Sequence, residues 1–134
     1  MKTKEHEIQS MYFLWVRLNE RRHPALQWTH AVPNGGFRDI RTARRLKAEG
    51  VKAGIWDVVI PYPARKTKHV SDSCCQSECF AGAYIEFKAD KNILTKEQRA
   101  FEEYAFKYYD LFVAYDWIGA AQFTERYLGL NKTA

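Results

Sequence analysis

Residues 83–89 read AYIEFKA, an apolar run interrupted by Glu86 and Lys88. Its β-branched and aromatic residues suit a pleated strand. In a strand, residues two apart leave the same face, so Glu86 and Lys88 project side by side. Burying a carboxylate and an ammonium is costly unless they pair or bind something. Residues 55–62, IWDVVIPY, pose the same question, with Asp57 between Trp56 and Val58. Two adjacent strands of this kind can aim both carboxylates at one point. The polar segment 64–81 between them, which holds Cys74, Cys75 and Cys79, reads as an extended hairpin connection.

Outward from these strands, residues 5–20 read as a helix, because Ile8, Met11, Tyr12, Trp15, Val16 and Leu18 recur at helical spacing. The run Arg21-Arg22-His23-Pro24 ends it, since a proline pushes the preceding residue out of helical geometry. Residues 26–32 alternate Leu26, Trp28, His30, Val32 against Gln27, Thr29, Ala31, a period of two that predicts a strand. Pro33-Asn34-Gly35-Gly36 is a turn signal. Asp39 can cap a helix over 40–49 that stops at Gly50. Thr95 opens a further helix with an apolar stripe of Phe101, Tyr104, Ala105 and Tyr108. Residues 110–115 predict a strand, and Asp116 caps a last helix ending near Leu128. The order α-β-α-β-β-α-β-α describes one α/β domain over residues 1–134.

Composition narrows the classes. Of 134 residues, 46% are hydrophobic and 28% charged, the balance of a packed globule. Twenty-one basic against 16 acidic residues leave a net charge of +5, which favours an anionic partner. No apolar run approaches the roughly 18 residues of a membrane span, and the amino terminus lacks the apolar core of a secretory signal. Three cysteines cannot all pair within one chain, so the expected location is a reducing cytoplasm.

Two converging carboxylates make a hard-oxygen site suited to Mg²⁺ or Mn²⁺. Mg²⁺ keeps several waters and completes its shell with phosphate oxygens, and a lysine alongside can hold a water or neutralise developing charge. That set suits phosphodiester hydrolysis. The bland alternative is a Glu86–Lys88 ion pair on an edge strand, with Asp57 solvated at a strand end. Backbone N–H groups at Asn34 and Gly35, followed by Arg38 and Arg41, can contact a phosphate, although a plain turn explains them equally. Arg41, Arg44, Arg45 and Lys47 form a basic helix surface able to track a nucleic-acid backbone without sequence choice. His69, Cys74, Cys75 and Cys79 lack zinc-site spacing. Tyr104, Tyr108 and Tyr109 sit at core spacing.

Taken together, Glu5…Gln9, Pro33-Asn34-Gly35-Gly36, Gly54-Ile55-Trp56-Asp57, Glu86-Phe87-Lys88 and Leu94-Thr95-Lys96-Glu97-Gln98 resemble the virus-type replication-repair nuclease (VRR-NUC) domain of the PD-(D/E)xK superfamily, over residues 5–115. The resemblance implies a central mixed sheet flanked by helices and a Mg²⁺- or Mn²⁺-dependent endonuclease acting on DNA. Asp57 and Glu86 match the metal-binding acids, with the main-chain carbonyl of Phe87 as a third ligand. Lys88 matches the lysine that positions the attacking water, Gln98 the glutamine near the scissile phosphate, and Glu5 the upstream acid reaching the metal or its waters. Glu7 competes for that last role, and Gln98 also completes a capping box with Thr95. Small stand-alone members imply a phage-encoded homodimer cutting branched DNA such as Holliday junctions, leaving 5′-phosphates. The chain departs from the family in carrying Trp56 where a proline often precedes the acid, and in the stretch 64–81. The rival readings are a non-cleaving nucleic-acid-binding module and a sequence-specific restriction nuclease on the same fold.

Overall fold

The first helix, α1 (Lys2–Leu18), presents Tyr12 and Val16 inward, both fully or nearly fully buried. In the computed structural model of the protein, residues 2–33, 39–66 and 79–130 are described, with side chains from residue 4 onward. A 3-10 turn (Glu20–Arg22) and a one-turn helix, α2 (Ala25–Trp28), follow. This corrects the strand expected over 26–32: only His30–Ala31 (β1) is extended. Pro24 already has helical φ and ψ of −56° and −34°, and His23 Nδ1 accepts from the Ala25 amide, so the chain coils where side-chain alternation suggested a strand. Ala25 and Leu26 are buried together, a pairing that a strand would place on opposite faces.

Helix α3 (Ile40–Ala48) starts as expected, with the Asp39 carboxylate accepting from the Thr42 amide at 2.7 Å. Gly50, at φ +99°, ends it. The strand expected over 55–62 shortens to β2 (Val58–Ile60), and that over 83–89 becomes β5 (Gly82–Phe87). Asp57 and Lys88 thus stand just outside the strands' ends. Between these strands, β3 (Ala64–Arg65) pairs antiparallel with β4 (Cys79–Phe80), the two arms of the expected hairpin connection. Cys79 is disulfide-bonded, one bond being the most that three cysteines allow.

Helix α4 (Lys96–Ala105), strand β6 (Tyr109–Ala114) and helix α5 (Trp117–Leu128) complete the order. The main sheet runs β1-β2-β5-β6. Its first two pairings are antiparallel and β5–β6 is parallel, so the sheet is mixed, as the resemblance implied. Ala83, Ile85 and Phe87 of β5 pack on Tyr12 and Val16 of α1 and on Ala120 and Phe123 of α5. On the opposite face Tyr84 meets Phe101 of α4 edge-on at 5.0 Å. Covered on both sides, β5 is almost wholly buried.

The apolar stripe assigned to α4 needs correction. Phe101 and Ala105 turn inward, but Tyr104 is 64% exposed within the helix, and Tyr108, 50% exposed, falls in the turn after the helix ends at Ala105. Among the described residues, no helix is long and apolar enough to cross a membrane.

Candidate active site

The antiparallel register of β2 and β5, Val58 opposite Ile85, brings Asp57 opposite Glu86 one step further on. The Asp57 amide donates to Glu86 Oε2 at 3.2 Å, and the Phe87 amide donates to Asp57 Oδ2 at 2.9 Å. Lys88 Nζ lies 3.9 Å from Glu86 Oε1, and both side chains are buried. Gln98 Nε2 donates to the same Oε1 at 2.6 Å. The Thr95–Gln98 capping box is complete as well: Gln98 Oε1 accepts from the Thr95 amide, and Thr95 Oγ1 from the Gln98 amide. One glutamine therefore joins the helix start to the acid pair, its oxygen held by the Thr95 amide and its nitrogen bonded to Glu86.

The segment leading to Asp57 is anchored on that same helix start. Gly54 has φ +90°, and a Cβ there would lie 2.6 Å from the carbonyl carbon and oxygen of Glu97, so only glycine fits. Trp56, 1% exposed, donates from Nε1 to the Gln98 carbonyl at 3.1 Å and packs against Phe101.

Burial first, and then the neighbouring Asp57 charge, pushes the Glu86 carboxyl up to about 9, with Lys88 only partly opposing. Burial also raises Asp57, and the Glu5 charge adds to this. The Phe87 amide, the hydrogen bond to Glu86 and the Lys88 charge pull the other way. Both carboxyls of the metal-free pair are thus held above their ordinary range, by burial first. A divalent cation between the two acids would reverse that logic.

Among the described residues no three His, Cys, Asp or Glu side chains form a metal cage. Two carboxylates beside the main-chain carbonyl of Phe87 still fit Mg²⁺ or Mn²⁺, which bind through one or two carboxylates and take the rest of their shell from water and phosphate. The raised carboxyl of Glu86 reflects burial first and the neighbouring Asp57 charge second.

A solved structure described as a VRR_NUC domain protein superposes on this chain with a TM-score of 0.66 at 25% sequence identity, covering 96% of this chain and 90% of its own. The chain folds as a VRR-NUC domain. No protein-family model and no curated protein matches the sequence.

Within this VRR-NUC domain the other expected residues separate into three groups. Glu5, on the first turns of α1, reaches the loop after Lys88: its Oε1 accepts from the Ala89 amide and from Asn92 Nδ2, both at 3.2 Å. Glu7 is exposed to solvent. Arg41 and Arg45 are exposed on α3, Arg45 with a loose contact to Glu49 at 4.0 Å. Asn34, Gly35 and Arg38 lie outside the described residues, as do His69, Cys74 and Cys75.

Asn92 and Trp56 are site residues that sequence reasoning missed. The run of charges Lys88-Ala89-Asp90-Lys91 gave no hint of Asn92, which acts only through the folded loop. For Trp56, its bulk beside an acid was the available signal. The tryptophan standing in the proline position of the VRR-NUC pattern ties the acid-bearing segment to α4 through its own indole N–H.

Proposed function

We propose that this VRR-NUC domain is a Mg²⁺- or Mn²⁺-dependent endonuclease that hydrolyses phosphodiester bonds of branched DNA such as Holliday junctions. One observation carries the reading: Asp57, Glu86, Lys88 and Gln98 converge at the β2–β5 pair within a nuclease-type fold. Asp57, Glu86 and the Phe87 main-chain carbonyl would hold the metal. When bound, the cation polarises the phosphate and makes a water more acidic.

The protein's own groups do the rest. Lys88, buried beside Glu86, keeps an ammonium within reach of a water and of the developing negative charge. Gln98 donates to Glu86 Oε1 and so restrains the orientation of that carboxyl. Glu5 adds its charge to the Asp57 side and holds the main chain next to Lys88 in place. The exposed arginines Arg41 and Arg45, with Asn34, Gly35 and Arg38 earlier in the sequence, contact backbone phosphates without reading bases. A homodimer presents two such sites to a junction with two strands to cut, and a phage-encoded enzyme meets that DNA in the host cytoplasm.

Cleavage of a four-way junction and a matched linear duplex, titrated with Mg²⁺ and Mn²⁺, tests the proposal. Metal-dependent cutting of the junction, lost in Glu86→Ala and Lys88→Ala, is expected. Intact substrates at every metal concentration would favour a binding module that does not cut. Fragments tied to one sequence would favour a restriction-type nuclease.

A further inference from the structure

Beyond the cleavage site, the opposite end of β5 opens into a cavity of about 760 Å³ lined by Pro63, Lys66, Phe80, Ala81, Lys107 and Tyr108, with Cys79 in its wall. That size is within the range of small-ligand sites. The lining combines two kinds of group. Phe80, Pro63 and Tyr108 supply an apolar, aromatic floor, with Tyr108 half exposed and its ring 5.6 Å from that of the exposed Tyr104. Lys66 and Lys107 supply positive charge, and none of the described residues that line the cavity is acidic. Lys66 Nζ is already placed, 5.3 Å over the Phe80 ring and 3.0 Å from the Lys107 carbonyl oxygen.

The cavity and the acid pair are joined by α4. Gln98, in its first turn, touches Glu86, and the chain leaving its last turn supplies Lys107 and Tyr108. Strand β5 separates the two sites by its 6 residues, about 20 Å at about 3.3 Å each. That is roughly six nucleotides at about 3.4 Å per phosphate along one strand of a duplex.

We infer that this cavity binds an unpaired nucleotide of the DNA strand, its base stacked on Tyr108 and Phe80 and its phosphate on Lys66 and Lys107. The inference rests on the nuclease reading for its ligand but not for its geometry. Aromatic rings flanked by lysines accept any base, because every base offers a π-face. A duplex cannot use the aromatic floor, since its bases are stacked inside. The cavity therefore favours substrates with an unpaired stretch about half a turn from the cut.

Fluorescence anisotropy in EDTA, with labelled oligo-dT and with a blunt duplex of equal length, tests this without any cleavage. Tyr108→Ala and Lys107→Gln each lower oligo-dT affinity about tenfold, as loss of one stacked base or one phosphate contact does, while duplex affinity stays unchanged. Tyr108→Phe retains binding, which separates stacking from a folding defect. Unchanged oligo-dT affinity in Tyr108→Ala and Lys107→Gln, or equal losses on duplex and oligo-dT, would overturn the inference. Metal-dependent cutting of the four-way junction by these same variants reports on the nuclease reading separately.

Discussion

Asp57 and Glu86 face each other across two antiparallel strands, and each accepts a hydrogen bond from a main-chain amide beside the other. The ladder that pairs β2 with β5 thus also aims the two carboxyls, at the cost of bringing like charges together in a buried place. Three predictions follow from how that cost is carried and how the surrounding groups hold the pair, and a fourth concerns the packing of α1 on α5.

Glu86 keeps its proton in the folded, metal-free protein up to about pH 9, whereas in the unfolded chain it ionises near its ordinary value. Between those two values the folded state binds more protons, so stability falls as pH rises. Metal-free melting temperature is therefore expected to decline from pH 5 to pH 9, and Glu86→Gln to flatten that decline while abolishing cleavage. Mn²⁺ raises the melting temperature of the parent protein at pH 8 but not of Glu86→Gln. Calorimetry showing a flat parent profile would remove this account of Glu86.

Gln98 acts at two places, and substitutions can separate them. Thr95→Ala removes half of the capping box and costs about 1 kcal/mol of stability, yet it leaves the Gln98–Glu86 contact. Gln98→Ala loses both, and cleavage should fall about 10–100-fold further than in Thr95→Ala. Equal cleavage rates in the two variants would reduce Gln98 to a helix cap.

Gly54 leaves no room for a side chain. Gly54→Ala sets a Cβ 2.6 Å from the Glu97 main chain at φ +90°, a strain of about 1–3 kcal/mol. Relief requires the 54–57 segment to move away from α4, carrying Asp57 with it. The expected result is a lower melting temperature together with loss of Mn²⁺-induced stabilisation. Full metal response in a destabilised Gly54→Ala would show that Asp57 is held from elsewhere.

Tyr12 ties α1 to α5. The Thr124 hydroxyl is spent on the Ala120 carbonyl, so the buried Tyr12 phenol donates to Thr124 Oγ1 at 2.8 Å. Burial pushes the phenol well above the ordinary tyrosine range, so above about pH 10 only the unfolded chain ionises and stability is lost. Tyr12→Phe should cost about 1 kcal/mol at neutral pH and make the alkaline loss shallower. A stability–pH curve between pH 8 and pH 11 reads both.

The α3, α4 and α5 helices were legible because their starts are written locally: Asp39, Thr95 and Asp116 each accept from an amide three residues on. The spacing of Glu86 and Lys88 likewise announced neighbouring charges on one face of a strand. Local pattern misled at 25–28, where proline geometry overrode alternation, at Tyr104, which α4 turns to solvent, and at Tyr108, whose helical spacing ran past the helix's end.

What residue order alone decided was the set of parts: capped helices, two acid-bearing strands and a lysine beside the second acid. Only the folded chain settled that β2 lies antiparallel to β5 in the register that opposes Asp57 and Glu86, that α4 delivers Gln98 to them, and that Asn92 and Trp56 brace the surroundings. Those facts depend on contacts between residues 12 to 87 positions apart. They follow from how whole faces bury against each other, and no short stretch of sequence encodes such a match by itself.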